Sequence, residues 1–394
     1  MYFTDHPSTL RSGTSHDVIV VGARAAGAAT AMLLARRGLR TLLLDDALPG
    51  SDTPRTHALM RGGVLQLSRW GLLDKIVAAG TPPVKRTTFR YGDEHLVISV
   101  KSSHGVDALY APRDSVLDPL LVQAAVDSAV DLRRAPVVDV MARSGRVVGV
   151  RAATADAGLV ELGAALVIGA DGIDSTIARR VGAKFSRVGR HGSAIAHAYW
   201  TDLETDGYEW TFHPTASSAV IPTNHGQAFV FVGASPDRIG EGGTTVIRKV
   251  IAEAAPKLAA RLDKASPASD EALAWSGHPS YIRQSHGPGW ALVGAAGYFA
   301  DPISAHGLTD ALRDAELLAR AVVDGLGGES TLDAALDNYQ ITRDRLGIPL
   351  FDAVDQIAGQ RWGDTEIAQL VVQMNAAMAD EAEALVALGA ESAS

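Results

Sequence analysis

The chain has no cysteine among its 394 residues. This absence excludes disulfides, a thiol nucleophile, cysteine-ligated zinc and iron–sulfur clusters. If the protein carries out redox chemistry, a bound cofactor has to supply it. Basic residues are also in the minority, since 36 Lys and Arg stand against 45 Asp and Glu, for a formal net charge of −9. That balance argues against general nucleic-acid binding, which needs a basic face.

Long apolar runs are missing as well. The most apolar stretch, residues 18–35, is interrupted by Arg24 and rich in small residues, so it predicts a buried strand and a helix, not a membrane span. Residues 1–16 show no basic start followed by an apolar core, so no targeting segment is predicted and a cytoplasmic location is expected. The 47% hydrophobic and 21% charged residues are typical of a globular protein.

The order of apolar patterns predicts an α/β protein with several domains. A strand at 17–22, a helix at 25–37 and a strand at 41–44 form a βαβ unit. Residues 185–285 are richer in aromatics and Thr in short segments, which predicts an antiparallel sheet. We therefore predict a discontinuous first domain (17–184 and 286–330), an inserted substrate domain (185–285) and a helical C-terminal region (331–394).

The turn of the βαβ unit carries the first motif, Gly22-Ala23-Arg24-Ala25-Ala26-Gly27. A dinucleotide site needs glycine at the tight turn, small residues where the backbone approaches the pyrophosphate, and glycine where the helix packs on the strand. Asp45 ends the second strand, where an acid accepts ribose hydroxyls. Arg24 replaces the middle glycine. The arrangement predicts dinucleotide binding, and the alternative is an ordinary strand–helix turn.

Two further glycine-rich bends follow buried strands. One contains Asp171-Gly172, and the other contains Gly294-Ala295 and continues into Asp301-Pro302-Ile303-Ser304-Ala305-His306-Gly307. Ligands of an open α/β sheet bind at the carboxyl ends of its strands, so all three motifs point to one site. The histidines show no H-E-x-x-H or comparable spacing, and no metal site is predicted.

With these three motifs in this order, residues 17 to about 360 resemble the FAD-dependent monooxygenases of the para-hydroxybenzoate hydroxylase type. The resemblance is stronger to their relatives that open with G-A-R-x-A-G, and geranylgeranyl-reductase-like and halogenase-like flavoproteins are related to these. It implies a Rossmann-like FAD-binding domain with the β-sheet domain inserted, FAD as cofactor and NAD(P)H as a transient reductant. It also implies a small-molecule substrate; it gives no oligomeric state.

The resemblance also assigns residues. Pro302 and His306 are the candidate catalytic residues, because they lie in the segment expected to wrap the flavin ring. The helix from Gly307 would point its N-terminus at the flavin and stabilise negative charge there. The residues expected to hold the cofactor are Gly22, Arg24, Gly27, Asp45, Arg61, Arg113, Asp171, Gly172, Gly294, Ala295, Asp301 and Gly307. In the loop before Arg61, His57 is more simply read as a solvated histidine than as a site residue.

Ala295 departs from the family pattern, which has Gly-Asp here with the Asp holding the ribityl chain. The lost hydrogen bond is worth about 1.5–3 kcal/mol, or about one to two decades of affinity. Three explanations stay open: weaker but sufficient FAD binding, loss of stable FAD binding with the fold kept for another task, or an engineered site.

The expected activity is NAD(P)H-dependent hydroxylation or epoxidation of an apolar or aromatic molecule through a flavin C4a-hydroperoxide. One alternative is a flavin-dependent halogenase, since residues 301–307 are similar to a halogenase segment; however, the W-x-W-x-I-P motif is absent and Lys85 is a poor match for the required lysine. An isoprenoid-type reductase also stays open. A flavin-free or flavin-poor homologue that acts as a cyclase or binding protein stays open too, because Ala295 replaces the usual Asp.

The acidic excess is concentrated near the C-terminus. After Arg361 the chain has no Lys, Arg or His and six acidic residues: Asp364, Glu366, Asp380, Glu381, Glu383 and Glu391. We expect these six carboxylates to lie on a solvated helix and tail, whose inner face is the apolar stripe Ile367, Leu370, Val371, Met374 and Met378.

Overall fold

The computed structural model describes residues 16–47, 58–154, 158–269 and 272–391. Up to residue 180 its elements are, in chain order, β1 (His16–Val21), α1 (Ala25–Arg36), β2 (Thr41–Asp45), α2 (Arg61–Arg69), α3 (Leu73–Ala78), β3 (Arg86–Tyr91), β4 (Glu94–Ser99), α4 (Asp114–Asp127), β5 (Asp131–Arg134), β6 (Val137–Arg143), β7 (Arg146–Thr154), β8 (Gly158–Gly169) and α5 (Thr176–Arg180). From residue 185 they are β9 (Phe185–Val188), β10 (Ala194–Thr201), β11 (Tyr208–His213), β12 (Ala216–Pro222), β13 (Ala228–Ala234), α6 (Pro236–Ile239), α7 (Thr244–Ala254), α8 (Pro256–Leu262), β14 (Ser266–Pro267), β15 (Leu273–Trp275), β16 (Tyr281–Arg283), β17 (His286–Gly287), β18 (Trp290–Leu292), β19 (Tyr298–Phe299), α9 (Gly307–Gly327), α10 (Leu332–Ala358) and α11 (Asp364–Glu391).

The first sheet contains the predicted βαβ unit. Its strands β18, β8, β1, β2 and β5 run parallel in that order, and β17 pairs antiparallel with β18. Most residues of β1 and β2 are buried, because strands rich in Val, Ile and Leu are covered on both faces. Helices α1, α4 and α9 cover one face, while α5 and the hairpin of β6 and β7 cover the other.

The second sheet is largely antiparallel, with the order β14, β10, β13, β12, β11, β3 and β4, and with β15 also beside β10. Successive residues of β13 point to opposite faces. Phe229 and Phe231 pack with residues of α10 and α11, whereas Val230 and Val232 pack with α7 and α8. The helical C-terminal region therefore covers one face of this sheet.

The second sheet extends outside the range 185–285 that the sequence suggested. Strands β3 and β4 belong to it, and β3 pairs with β11 in parallel. This pairing brings Phe89 of β3 and Trp210 of β11 together as a stacked aromatic pair, with ring centroids 6.4 Å apart. In contrast, β9 and β16 leave this sheet and form a small third one with β19. The domain boundaries themselves stay a prediction.

The predicted fold class is confirmed, since a parallel sheet with helices on both faces stands beside a mainly antiparallel sheet and a helical C-terminal region. Among the helices in the described ranges, none combines the length and the apolar character that a membrane crossing requires.

Candidate functional site

A cleft of about 500 Å³ opens at the carboxyl edge of the first sheet. Strands β1, β2, β8 and β18 end there because they run parallel. Of the predicted site residues, those that line the cleft are Gly22, Arg24, Asp45, Asp171, Gly172, Gly294, Ala295, Pro302 and Gly307. Tyr298 and Phe299 also wall it. The structure thus brings all three motifs together.

The glycines of the first motif let helix α1 approach the sheet closely. Gly22 has a φ of +104°, which side-chain-bearing residues rarely adopt, and a Cβ there would collide with the carbonyl oxygen of Ala170. A Cβ on Gly27 would overlap the carbonyl oxygen of Gly22. Gly27 does not line the cleft, but it sets the helix position that aims the N-terminus of α1 at it.

Asp45 occupies the end of β2 and is partly buried. One carboxylate oxygen accepts the backbone N–H of Ala23 in the first motif, and the other accepts the N–H of Ala47 at 2.8 Å. Burial raises the pKa of Asp45, and these two N–H donors oppose the rise. The side chain therefore ties the turn of the first motif to the second strand of the βαβ unit.

The second motif is held to the third by hydrogen bonds. Asp171 accepts the hydroxyl of Ser175 at 2.5 Å and the N–H of Ile177 at 3.1 Å, so it caps the start of α5. The hydroxyl of Tyr281 donates to the carbonyl oxygen of Ala295 at 2.6 Å and to that of Ile173 at 3.4 Å. These bonds keep the two bends side by side in the cleft wall.

The third motif packs between two helices. A Cβ on Gly294 would lie 2.8 Å from Cβ of Ala26 in α1 and 3.8 Å from Cβ of Ala311 in α9. Helix α9 begins at the exposed Gly307, which lines the cleft together with Leu308, Asp310 and Ala311. The positive end of the α9 dipole is therefore at the cleft.

Two predicted arginines lie elsewhere. Arg61 at the start of α2 donates to the carbonyl oxygens of Val106 at 3.2 Å and Lys101 at 2.6 Å, and it lines a second cavity. The guanidinium of Arg113 stacks 3.7 Å from the ring centroid of Tyr199 and donates to Gln227 Oε1 at 2.9 Å. The structure does not place either residue in the lining of the cleft, and His57 lies outside the described residues.

Asp301 is also absent from the cleft lining. It is fully buried and accepts the N–H of Ser193 at 2.7 Å and that of Ile303 at 2.9 Å. Burial raises its pKa to about 7, while the N–H donors of Ser193 and Ile303 act in the opposite direction. Asp301 thus connects the segment 302–307 to the residue just before β10 in the second sheet.

His306 is buried behind the start of α9, where its Nε2 donates to Glu381 Oε2 at 2.6 Å. Burial lowers the pKa of His306, but the charges of Glu381 and Asp310 outweigh it and hold that pKa above its usual value. Conversely, burial raises the pKa of Glu381, but His306 and Arg313 bring that pKa below its usual value. Each partner thus favours the charged form of the other, the imidazolium of His306 and the carboxylate of Glu381.

The burial of Glu381 corrects the expectation that all six C-terminal acids are solvated, because its side chain is 2% exposed. A buried carboxylate needs partners, and here they come from α9. Nη1 of Arg313 lies 2.6 Å from Asp310 Oδ1 and 3.4 Å from Glu381 Oε1. Its Nη2 lies 2.8 Å from Asp314 Oδ1. No local pattern in α11 distinguishes Glu381 from its exposed neighbours, apart from its position one turn after the stripe residue Met378.

Three members of this cluster, His306, Asp310 and Glu381, offer ligand atoms within 4.8 Å of one another. A metal ion there would compete with the guanidinium of Arg313, which already pairs with Asp310 and Glu381. Each carboxylate of the cluster already has His306 or Arg313 as a cationic partner.

A second cavity of about 470 Å³ lies between the second sheet and α11. Its walls are mainly apolar and include Phe89, Ile98, Leu109, Trp210, Met374 and Met378. Ser304 of the third motif also lines it. The sequence pointed to the aromatic segments of 185–285, which contain Trp210, and to the apolar stripe of α11, but it gave no reason to combine them with β3 and β4. This cavity is the part of the site that sequence reasoning missed.

The residues around the cleft fit FAD. Gly22 and Gly27 have no side chains, which leaves the space that a pyrophosphate needs to approach the backbone closely. The N-termini of α1 and α9 supply N–H groups and positive dipole ends for an anionic ligand. At Ala295 the wall presents a half-buried methyl group where the family pattern has a carboxylate.

Comparisons with known proteins agree with this geometry. The family model described as FAD binding domain matches residues 15–353. Aklavinone 12-hydroxylase DnrF of Streptomyces peucetius is 28% identical over 360 residues, which cover 81% of this chain and 70% of that protein. Protein FixC of Salmonella typhi is 27% identical over 231 residues, which cover 58% of this chain and 51% of that protein.

Solved structures share the fold at lower identity. The flavin-dependent brominase Bmp2 superposes with a TM-score of 0.77 at 17% identity, over 96% of this chain and 100% of that one. PqsL of Pseudomonas aeruginosa, solved in complex with 2-aminobenzoylacetate, gives a TM-score of 0.75 at 18% identity, over 91% and 100%. These likenesses concern the fold alone.

Proposed function

The chain belongs to the FAD binding domain family and is an enzyme of the FAD-dependent monooxygenase superfamily, and from this premise we propose that it uses NAD(P)H to hydroxylate or epoxidise an apolar or aromatic small molecule. A hydroxylase, DnrF, is among its relatives, and a halogenase, Bmp2, is among the proteins that share its fold.

The observation that carries the proposal is the position of the segment 302–307 between two chambers. Pro302 and Gly307 line the cleft, and Ser304 lines the apolar cavity. A cofactor in the cleft and a substrate in the cavity would therefore be separated by little more than this one segment. The volume of about 470 Å³ suits a small organic molecule.

FAD, when bound, supplies the activation of molecular oxygen and the transfer of one oxygen atom to the substrate. The chain contributes binding and electrostatics. The N-terminus of α9 at Gly307 favours negative charge in the cleft. We assign to Asp45, which lines the cleft, the task of accepting ribose hydroxyls. The apolar side chains of Phe89, Trp210 and Met374 would keep water from a substrate in the cavity.

The polar residues of the cavity suggest how a substrate would be oriented. Arg61 and His104 lie at the side formed by the start of α2 and the loop after β4, and Asn375 and Glu383 come from α11. An aromatic or polycyclic body would contact the apolar wall, and a polar or anionic substituent would meet Arg61. This arrangement favours a substrate with one polar end.

The test starts with the purified full-length protein. The proposal expects bound flavin in its visible spectrum, bleaching of that absorption by NADH or NADPH, and faster bleaching in the presence of a substrate. With ¹⁸O₂, the product should gain a single labelled oxygen atom by mass spectrometry. A protein that takes up no FAD, or that reduces a substrate without incorporating oxygen, would contradict the proposal.

The halogenase alternative is supported by the similarity of residues 301–307 to a halogenase segment. Against it, the described residues that line the cavity include no lysine, and Lys85 is exposed and paired with Asp107 at 2.9 Å. Addition of chloride or bromide to the same assay separates the two, because a halogenase would add the halogen to the product and leave no ¹⁸O in it.

A further inference from the structure

Asp310 is an acidic residue in the wall of the cleft for which the sequence motifs give no role. It lies three residues after Gly307, in the first turn of α9, and is 3% exposed. Together with Leu308 and Ala311 it lines the same cleft as the three motifs. An acid in this turn is also favoured by the positive end of the helix dipole.

Only one of its two carboxylate oxygens is engaged. Oδ1 accepts Nη1 of Arg313 at 2.6 Å. Oδ2 is buried and has no hydrogen-bond partner among the described residues. A buried acceptor without a partner costs free energy, so such an atom beside a ligand cleft points to a ligand donor.

The position of Asp310 relates to the acid missing from the third motif. The turn that contains Ala295 packs on α9, and a Cβ on Gly294 would lie 3.8 Å from Cβ of Ala311, the residue after Asp310. The same stretch of wall therefore has a methyl group at Ala295 and a carboxylate with a vacant acceptor at Asp310. These observations concern two adjacent elements, and both elements face the cleft.

We propose that Asp310 takes over the hydroxyl-binding task that Ala295 cannot perform, by accepting a hydrogen bond from the ribityl chain of FAD. The inference rests on the proposed function insofar as it requires FAD in the cleft. It explains how a chain without the family carboxylate retains the cofactor.

The charges around Asp310 keep it able to accept. Burial raises its pKa to about 6, against the opposing effect of Arg313 and His306. Glu381 from α11 and Asp314 from α9 raise the pKa further. Arg313 and His306 favour the carboxylate form of Asp310, whose free oxygen is an acceptor that a hydroxyl donor can satisfy.

The experiment measures FAD affinity directly, by quenching of flavin fluorescence when FAD is added to the flavin-stripped full-length protein. Asp310→Asn should weaken binding by about 10- to 100-fold, the worth of one charge-assisted hydrogen bond. Asp314→Asn is the matched control, because Asp314 is equally buried, pairs with the same Arg313 and does not line the cleft. It should change the affinity by less than about threefold.

A rescue sharpens the test. Ala295→Asp should restore most of the affinity in the Asp310→Asn background, but should bring little gain in the wild-type protein, where it adds a second carboxylate to the same wall. If Asp310→Asn does not fold, Asp310→Glu keeps the charge and the pairing with Arg313 while moving the acceptor by one methylene. It should reduce the affinity without lowering the thermal unfolding temperature.

The outcomes distinguish the two proposals. If the wild-type protein binds FAD and Asp310→Asn binds it equally well, the role of Asp310 is refuted and the proposed function stands. Equal losses in Asp310→Asn and Asp314→Asn would assign the effect to the ion pairs of Arg313 and refute it too. If the wild-type protein binds no FAD, both proposals fail.

Discussion

The cleft and the second cavity are built on different principles. The cleft is formed largely by backbone: glycines at 22, 27 and 294 let two helices approach the sheet, and helix N-termini face the ligand space. The cavity is formed by side chains from α2, from β3, β4 and the loop that follows them, from β11 and from α11, and these segments are far apart in the chain. A site made of backbone restricts the sequence at particular positions, whereas a cavity made of side chains restricts only size and polarity.

The largest effect is expected where the backbone of the cleft has no room. In Gly27→Ala the new Cβ would overlap the carbonyl oxygen of Gly22, so we expect a loss of about 3 kcal/mol or more in the free energy of unfolding and a loss of FAD binding. Urea denaturation measures the first and flavin fluorescence the second.

The matched control is Gly327→Ala at the end of α9, where a Cβ meets nothing within 4 Å. This substitution should be neutral or slightly stabilising, since alanine favours helices. If both variants were equally stable, the close approach of α1 to the backbone at Gly22 would not be what determines the shape of the cleft.

The second largest effect is expected for the ion pair of His306 and Glu381. This pair joins the start of α9 at the cleft to α11, which lines the cavity. Glu381→Gln removes the carboxylate that pairs directly with the buried His306 and should cost about 3 kcal/mol. Glu383→Gln, on the same helix at an exposed position, should cost almost nothing.

The loss in Glu381→Gln should depend on pH. The lowered pKa of Glu381 means that its contribution is present above the usual value of 4.5 and declines as the pH falls. The raised pKa of His306 means that its contribution is present below the usual value of 6.5 and is lost as the pH rises past the raised pKa. Denaturation curves should therefore give the largest difference from the wild type between pH 4.5 and 6.5. A difference that is independent of pH would argue against the ion pair.

A smaller effect should separate the cavity from the cleft. Met378→Trp fills part of the cavity, so substrate-dependent NAD(P)H oxidation should fall by about tenfold or more while FAD affinity stays unchanged. Val372→Trp is the control on the same helix, because Val372 is 59% exposed and outside the cavity lining. If Met378→Trp weakened FAD binding instead, the two chambers would not be independent.

The smallest effect is expected at Asp301, which joins the cleft segment to the second sheet. Asp301→Asn keeps one of the two acceptors and should cost about 1–2 kcal/mol at low pH. Since burial raises the pKa of Asp301 from 3.8 to about 7, its ionisation destabilises the wild-type fold increasingly as the pH rises from 3.8 to about 7. The difference in the free energy of unfolding between the variant and the wild type should therefore shrink over that interval in urea titrations. A difference that stays constant would contradict the raised pKa of Asp301.

The two regions also differ in how far the sequence predicted them. Gly22, Asp45, Asp171 and Gly294 could be placed in one cleft because each follows a buried strand and the strands are parallel. Such local patterns predict the position of a residue in the fold without knowledge of distant contacts. The position of Asp301 and His306 behind the cleft wall was beyond this reasoning, since a motif gives the path of the backbone and not the direction of each side chain.

The cavity could not be predicted, because its walls depend on contacts between distant segments. Phe89 meets Trp210 only through the parallel pairing of β3 with β11, and neither strand carries a signal for that pairing. The burial of Glu381 has the same origin: its partners His306 and Arg313 lie about seventy residues earlier in the chain. In α11 alone, the sign of its burial is its position one turn after Met378, on the continuation of the apolar stripe.

The pairing of β3 with β11 sets a rule for building chimaeras from this protein and its relatives. An exchange of residues 185–285 alone would transplant Trp210 and leave the other residues that line the cavity, Phe89 and Ile98 among them, with the recipient. A functional graft of substrate preference has to carry residues 60–109 and α11 as well, so the smallest transferable unit is three separate pieces of chain.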